Sequence, residues 1–482
     1  MSFRVTSFAI ENQTLRFAAR HSADVFRFQR QITSGVRIHR PSDDPIAFRN
    51  ISSLNRQFNE LNTDLTTVRS TEAVLNNSVS QIQEVSQLIT SAVTAVQQGI
   101  QSNEPTDRNA LALEIEGILN QLKVVANTSF NGNYLFAGTR TDQQPFSFDS
   151  PAADGRPLSV TYAGSEDDAN VLIGSGLTVK SYYNGNDLFG RGDRQRSLVI
   201  GNTGAQPGSG TDTLTSRASL VVSHTTTTYA GTSGIVPGGS SHESDTLIGQ
   251  HELEIVDLSG DGSSGTVSLN GGQLIPFNAS QTDLRVEGPT GEVIFVDTTN
   301  IAAGFSGTVS LTGNGTLSVD GGISSTAIDF SDSQVVSDSV TNGFITINSQ
   351  SIRRTGIDHL EFPGTSSAFE ILDNLSADLR NVRSLPPGEL EDSLDRRFGE
   401  LESLQGNLLD VLGEQSTTLR TLESVGFRIE SNQLETQIFA SDLQATDISE
   451  AALRLTNAES LLEYTFAVTA QITSIDILDF LR

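Results

Sequence analysis

The chain has 482 residues, of which 30 are Lys or Arg and 58 are Asp or Glu, and its formal net charge is −28. This acidic excess argues against nucleic acid or an anionic membrane as a partner, since both would repel the chain. Cysteine is absent, which excludes disulfide scaffolds, thiolate metal sites and cysteine nucleophiles. No apolar run is long enough for a transmembrane helix, and the first residues do not form a cleavable signal peptide.

Residues 1–44 form a first segment, in which arginine and phenylalanine alternate without a clean heptad. Residues 1–50 contain eight Arg and only four acidic residues. A basic end on an acidic chain predicts electrostatic docking against acidic surfaces of its own kind. An ordinary helix with exposed arginines explains the same pattern, so both interpretations stay open.

The strongest periodicity predicts a long helix over 45–98. Asp44 is its expected N-cap, Pro45 fits the first helical position, and Gly99 marks its stop. A strict heptad keeps one apolar seam facing a partner helix, so a helical bundle is required. The seam positions are Leu54, Leu61, Val68, Leu75, Ile82, Ile89 and Val96.

A shorter helix is predicted next, capped by Thr106 or Asp107 and ending near Asn127. The pair Asn131-Gly132 is typical of a tight hairpin turn, and 134–138 is expected to be a short strand. These elements make 45–148 an N-terminal helical core with a β-hairpin.

Residues 149–365 are rich in Gly, Thr, Ser, Val and Asp, which favours strands and turns. Short strands are predicted over 253–256, 284–286 and 293–296. The hexapeptide SGTVSL occurs at 264–269 and again at 306–311, which makes a partial repeat. The Gly/Ser/Thr-rich stretch 203–245 is expected to be loop or linker.

Helical spacing returns in 366–445, predicted as a C-terminal helical core, and continues after a break near Asp447 into a final helix over 446–482. The core helix contributes Leu401, Leu408, Leu422 and Ile429 to the packing seam. The final helix presents Leu455, Leu462, Val468, Ile472 and Ile475 for assembly. The expected fold is α+β, an elongated bundle of long N- and C-terminal helices with an inserted β-rich domain.

The sequence offers no convincing catalytic, cofactor or metal site, so no enzyme is predicted. The six histidines are scattered without ligand spacing. Residues 257–262 lack the middle and distal ligands of a calcium loop, and a Gly-rich turn explains them better. Residues 240–243 place Ser, His and Glu side by side, but catalytic triads assemble in space. The adhesion-like tripeptide 191–193 is attributed to chance.

Three segments carry distinctive sequence motifs. Residues 31–45 read QITSGVRIHRPSDDP, and 132–138 read GNYLFAG, followed by PF at 145–146. In the C-terminal region, 468–472 read VTAQI and 478–481 read LDFL. These segments resemble the bacterial flagellin superfamily, particularly its hook–filament junction members. The likeness covers about residues 1–148 and 367–482, in the right order.

The resemblance implies a bundle of terminal helices from which 149–365 projects, with ends that stay disordered until assembly. It implies extracellular location on the flagellum after type III export without signal cleavage. The implied partners are hook-associated protein 1, flagellin, further copies of this chain in a ring, and a flagellar export chaperone. Residues 88–92 read LITSA where flagellins carry an Arg-Glu segment, so immune-receptor recognition is not implied.

Two alternatives to a junction subunit remain. One is a filament-forming flagellin, which belongs to the same superfamily. The other is a secreted adhesin or hydrolase whose activity would lie in 149–365. Polymerisation from seeds would distinguish the first, and glycan binding or hydrolysis by the middle region would support the second.

Overall fold

The computed structural model describes residues 3–102, 104–149, 158–174 and 176–480, with side chains from residue 9 to residue 471. Long helices occupy both ends of the described chain, and the middle is rich in strands, so the predicted α+β fold class is confirmed. The helices are α1 (Phe3–Ser34), α2 (Pro45–Gln101), α3 (Pro105–Ala126), α4 (Gly185–Phe189), α5 (Ala368–Leu379), α6 (Pro387–Gln444) and α7 (Ile448–Phe480).

The strands fall into a group before residue 240 and a group after it. The first group is β1 (Ser129–Phe130), β2 (Asn133–Tyr134), β3 (Phe146–Asp149), β4 (Ser159–Tyr162), β5 (Ala169–Ile173), β6 (Leu177–Tyr182), β7 (Leu198–Ile200), β8 (Gln206–Pro207), β9 (Ser216–Tyr229) and β10 (Val236–Pro237). The second group is β11 (Gly249–Asp257), β12 (Ser264–Leu269), β13 (Ile275–Asn278), β14 (Leu284–Glu287), β15 (Val293–Asp297), β16 (Ser306–Ser318), β17 (Thr326–Ala327), β18 (Gln334–Ser337), β19 (Phe344–Asn348) and β20 (Gly356–Phe362).

The chain divides into two compact units. The first consists of Met1–Ala73, Val171–Val179 and Thr418–Arg482, and the second of Val74–Asn170 and Lys180–Thr417. Both α2 and α6 contribute residues to each unit. The five-segment division expected from the sequence remains a prediction. None of the described helices is long and apolar enough to cross a membrane.

The helix boundaries follow local capping. The Asp44 carboxylate accepts the N–H groups of Ile46 at 3.2 Å and Ala47 at 3.0 Å, which confirms it as the cap of α2. The break near Asp447 is confirmed as well, since that carboxylate accepts the Ser449 N–H at 2.9 Å where α7 begins. The predicted cap of α3 is wrong: Glu104 occupies the N-cap, and Pro105 opens the helix because proline needs no N–H partner there.

The hairpin after α3 is shorter than expected. Asn131 and Gly132 both have positive φ, at 53° and 83°, so the predicted turn is confirmed. The strand predicted over 134–138 is wrong, because only Tyr134 belongs to β2 and the chain turns after it. Phe136 is instead fully buried, with its ring edge-on to Phe189 at 5.4 Å between centroids. Aromatic packing therefore overrides the extended pattern.

An antiparallel sheet dominates the middle of the chain. Its strands follow the order β13-β12-β11-β16-β9-β20-β7, and β17 pairs with β16. Two smaller sheets have the orders β10-β15-β14 and β18-β19-β8. Strands β11, β14 and β15 contain the three predicted strands, which are thereby confirmed.

The linker predicted over 203–245 is wrong, because this stretch contains β8, β9 and β10. Strand β9 runs for 14 residues and pairs with both β16 and β20. Its threonines are β-branched and fit a pleated strand, although a Ser/Thr-rich stretch resembles a linker by composition. The two SGTVSL copies lie in β12 and β16, on opposite sides of β11, where Ile255 pairs with both Val267 and Gly307.

Candidate assembly surface

The terminal helices are tied together within the first unit. α1 packs against α7, and the turns that follow α1 and α6 are joined by an antiparallel bridge between Val36 and Ala445. The Arg37 N–H donates to the Gln444 carbonyl at 2.6 Å, and the Thr446 N–H donates to the Gly35 carbonyl at 3.0 Å. Backbone hydrogen bonds thus join the two ends of the chain independently of side-chain identity.

The first unit holds five of the predicted seam residues. Val68 and Leu422 are fully buried and Ile429 is nearly so, whereas Leu54 and Leu61 are half-buried. Beside them, the Arg69 guanidinium pairs with the Glu430 carboxylate of α6 at 2.7 Å. The seam in this unit is therefore best covered where this ion pair joins α2 to α6.

The second unit buries its seam residues completely. All six have no exposed surface: Leu75, Ile82, Ile89, Val96, Leu401 and Leu408. Among them lies one buried polar contact, in which Gln415 Nε2 donates to Ser78 Oγ at 2.9 Å. Gln405 donates to Thr90 at 3.1 Å further along, so the two helices run antiparallel. Assembly use of these seam positions remains a prediction.

One acidic residue, Glu72, lies beside the seam of the first unit, one helical turn after Val68. Burial raises the pKa of the Glu72 carboxyl, and the nearby carboxylate of Glu423 raises it further. Arg69 opposes this increase only in part. Glu72 therefore lies on the packed face of α2 at an electrostatic cost.

The predicted assembly residues of α7 are only partly covered. Leu455 and Leu462 are half-buried and Val468 is 48% exposed, while the side chains of Ile472 and Ile475 lie outside the described residues. Both terminal helices expose further large apolar side chains, which the pairing of α1 with α7 leaves in solvent. They are Ile10, Leu15, Phe17, Phe26, Ile448, Leu453, Leu461, Tyr464 and Phe466.

A third exposed apolar group lies on α6 and was not predicted from the sequence. Phe427 is 72% exposed, Leu434 60% and Ile438 50%. These residues recur at spacings of seven and four, so they share one helix face. That face is opposite to the one on which Val425 and Ile429 are buried. Apolar residues that keep helical spacing outside the seam are the signal that could have identified it.

The charges near the junction of α1 and α7 are balanced. A cleft of about 160 Å³ is lined by arginines from α1, the following turn and α7, together with acidic residues. Arg27 pairs with Asp24 at 3.1 Å, and Arg37 pairs with Asp44 at 3.4 Å. Arg454 in α7 pairs with Glu450 one turn earlier. These arginines are therefore already neutralised within the chain.

A buried ionic cluster in the second unit was also missed. Glu361 of β20 accepts from Arg383 at 2.7 Å, from Arg396 at 2.7 Å and from Arg397 at 2.9 Å. Asp378 of α5 accepts from Arg383 at 2.8 Å. The cluster links a strand, a short helix and the start of α6. Its members are far apart in sequence, so no local sequence pattern identifies them.

The glycine-rich stretch 257–262 forms a closed turn, as predicted. The Asp257 carboxylate accepts N–H groups of Ser259 at 2.9 Å, Gly260 at 2.9 Å and Gly262 at 2.8 Å. These donors, led by the Ser259 hydroxyl, lower the pKa of Asp257. Within the described residues, no group of three or more acidic or histidine side chains is placed to hold a metal ion.

Comparison with known proteins gives matches to flagellar proteins. Residues 5–141 match the family described as the bacterial flagellin N-terminal helical region. The chain is 29% identical to flagellar hook-associated protein 3 of Escherichia coli K12 over 198 residues, which cover 40% of this chain and 52% of that protein. It is also 29% identical over 210 residues to flagellar hook-associated protein 3 of Salmonella typhimurium LT2, covering 42% and 56%.

The chain thus spans about half the length of the curated relatives it matches. Among solved structures, a FlgL crystal structure from Xanthomonas campestris aligns over 81% of this chain and 99% of its own, at 14% identity and a TM-score of 0.41. The sequence matches confirm the resemblance to the flagellin superfamily: residues 5–141 match the flagellin N-terminal helical region, and the chain is similar to flagellar hook-associated protein 3.

Proposed function

We propose that this protein is a structural subunit of the bacterial flagellum, joining hook to filament through its terminal helices, with no catalytic activity. The observation that carries the proposal is the large apolar surface that α1, α6 and α7 leave exposed. Large apolar side chains that stay exposed together on one helix face mark a protein–protein interface. Two relatives named flagellar hook-associated protein 3 support the flagellar setting.

The partners follow from this role. The terminal helices would pack against hook-associated protein 1 on one side and flagellin on the other, and against copies of the same chain in a ring. An export chaperone would cover the apolar faces of α1 and α7 before secretion. The protein would be extracellular, at the hook–filament junction, after export without a cleaved signal peptide.

The α6 face gives a direct test. Replacing Phe427, Leu434 and Ile438 together by serine removes exposed apolar surface without touching the seam. The folded protein should keep its melting temperature, while attachment to isolated hooks and cell motility should be lost. Immunogold labelling of isolated flagella would show whether the protein occupies the junction.

A matched control changes three exposed polar residues on the same helix: Asn432→Ser, Glu435→Ser and Gln437→Ser. This variant should attach normally, because it leaves the apolar face intact. Normal junctions in the apolar-to-serine variant would refute the proposal. A further deletion of 446–482 should abolish attachment, since it removes α7.

A filament-forming flagellin is the second candidate. It is supported by a 27% identity over 137 residues to a protein named flagellin from Clostridium tyrobutyricum. Seeded polymerisation separates the two proposals: a flagellin grows long filaments from seeds, whereas a junction subunit does not.

A further inference from the structure

Two pairs of matching segments occur in the β-rich region. Residues 265–272 read GTVSLNGG and 315–322 read GTLSVDGG, with five identical positions. Earlier in the chain, 212–214 and 245–247 both read DTL. The two pairs have different spacings, which a simple tandem repeat would not produce.

The aspartates of the DTL segments make equivalent contacts. The Asp212 carboxylate accepts the Thr346 N–H of β19 at 2.8 Å. The Asp245 carboxylate accepts the Phe295 N–H of β15, also at 2.8 Å. Each aspartate thus holds the central strand of a three-stranded sheet, and β15 corresponds to β19.

The threonines that follow extend this equivalence. Thr213 Oγ1 accepts the Phe344 N–H at 2.8 Å, and Thr246 Oγ1 accepts the Val293 N–H at 2.8 Å. In return, the Thr213 N–H donates to the Phe344 carbonyl at 2.9 Å and the Thr246 N–H donates to the Val293 carbonyl at 2.8 Å. The same two-way bond therefore occurs at both places.

A glycine upstream of each DTL segment occupies the same kind of site. Gly204 has φ of +97° and Gly234 has φ of +80°, which favours glycine. A Cβ on Gly204 would lie 2.0 Å from the Ser351 carbonyl oxygen, and one on Gly234 would lie 1.8 Å from that of Asn300. Both glycines thus allow the backbone to pass close to another segment. For Gly204 it is the segment that follows β19, and for Gly234 it is the segment that follows β15.

The strand pairing explains the unequal spacings. Strand β11 lies between β12 and the first half of β16, and β13 follows β12. Strand β9 lies between the second half of β16 and β20, and β17 pairs with β16. Strands β10 to β15 and the first half of β16 therefore form one set, which we call the inner set. It matches the outer set, which consists of β8, β9, the second half of β16 and β17 to β20. In sequence, the inner set lies entirely between β9 and the second half of β16.

Each set has its own hydrophobic core. Leu253, Val267 and Ile294 belong to the core of the inner set. Leu220 and Ile345 belong to the core of the outer set. Two side chains depart from this division: Ile248 lies just before β11 but packs in the outer core, and Tyr229 at the end of β9 packs against the inner core.

The two sets meet where β9 pairs with β16, and also where Leu247 of the inner set forms an antiparallel bridge with Arg354 of the outer set. Strand β16 belongs to both sets and pairs with β9, and the register of this pairing shifts between Asn314 and Gly315. Thr226 of β9 lies directly opposite Asn314. The chain therefore enters and leaves the inner set at adjacent positions, as inserted domains commonly do.

We propose that the β-rich region consists of two copies of one module, with the inner copy, 227–313, inserted into the outer copy, 198–226 with 314–362. Each copy folds around its own core. The inner copy is an autonomous unit, displayed on the outer one, that can be removed or exchanged. This proposal does not depend on the flagellar role.

Excision in the full chain tests it. Residues 227–313 are replaced by Asn-Gly, so that Thr226 and Asn314 close a two-residue hairpin. Amides of β19 and β20 should keep their protection from hydrogen exchange. The unfolding midpoint of the outer module should fall, because Ile248 no longer fills its core.

The control removes the same number of residues, 270–356, and cuts through both modules; it should abolish amide protection throughout the β-rich region. A second variant, Val267→Asp, places a charge in the inner core of the intact chain. It should remove protection from β11 to β15 and leave β18 to β20 protected. Loss of protection in the outer module, in either the excised chain or the Val267→Asp variant, would overturn the proposal.

Discussion

Arg397 donates to Glu361 at 2.9 Å, and both side chains are almost fully buried, at 2% and 1% exposure. The two residues belong to α6 and β20, so the contact joins the helical and β-rich parts of the second unit. Arg383 and Arg396 approach the same carboxylate. A buried charge is tolerated only when it is paired, and here one acid pairs with three bases.

Replacing Glu361 by glutamine should therefore destabilise the second unit by about 3–5 kcal/mol, the usual cost of removing one partner from a buried ion pair. Urea unfolding would measure the loss. Glu287→Gln, which breaks the exposed pair with Arg285, is the control and should cost less than about 1 kcal/mol. Equal effects of the two changes would contradict this account.

The ionisation of Glu361 also predicts that the fold loses stability in acid. Burial alone would raise the pKa of Glu361, but Arg397, Arg383 and Arg396 overcome it and hold the pKa at about 2, below the ordinary 4.5. The stabilisation is therefore present above pH 4.5 and is lost as the pH falls towards 2. The unfolding free energy of the Glu361→Gln variant should fall less over this range; an unchanged slope would show that other groups dominate.

Glu72 should behave in the opposite way. Its raised pKa means that ionisation opposes folding, so the penalty grows as the pH rises through its folded pKa. Glu72→Gln should raise the melting temperature at pH 7 and leave it nearly unchanged at pH 3. Glu60→Gln, at an exposed position of the same helix, serves as the control.

The buried Gln415–Ser78 contact can be tested by a double-mutant cycle. Ser78→Ala alone leaves the Gln415 amide without this acceptor and should cost about 1–3 kcal/mol. Ser78→Ala combined with Gln415→Leu should recover most of this loss, because both polar groups are then removed. Unfolding by urea would give the four free energies, and strictly additive changes would show that the contact contributes nothing.

The helical part of the fold could be predicted from local patterns. The heptad identified the face on which Leu75 and Ile82 are buried, and the Asp44-Pro45 pair identified the start of α2. Both features depend on neighbours in sequence. The buried cluster around Glu361 could not be found in this way, because its arginines follow it only after a helix and a turn.

The β-rich region was harder to predict, for two physical reasons. The threonines of β9 satisfy strand geometry, but their composition is also that of a linker. In the matching segments 265–272 and 315–322, leucine stands in one module where valine stands in the other. The insertion also separates the matching strands of the two modules in sequence. The SGTVSL repeat is visible in the sequence, but its two copies flank β11 and occupy non-equivalent positions of the two modules.

The bridge between Val36 and Ala445 has a consequence for biosynthesis. α1 leaves the ribosome early, but α7 is translated only after the whole intervening chain. At roughly 5–20 residues per second, α1 waits for tens of seconds without the helix that covers part of its apolar surface. During that interval its exposed phenylalanines are open to capture by other nascent chains, so timely shielding would determine the yield of usable protein.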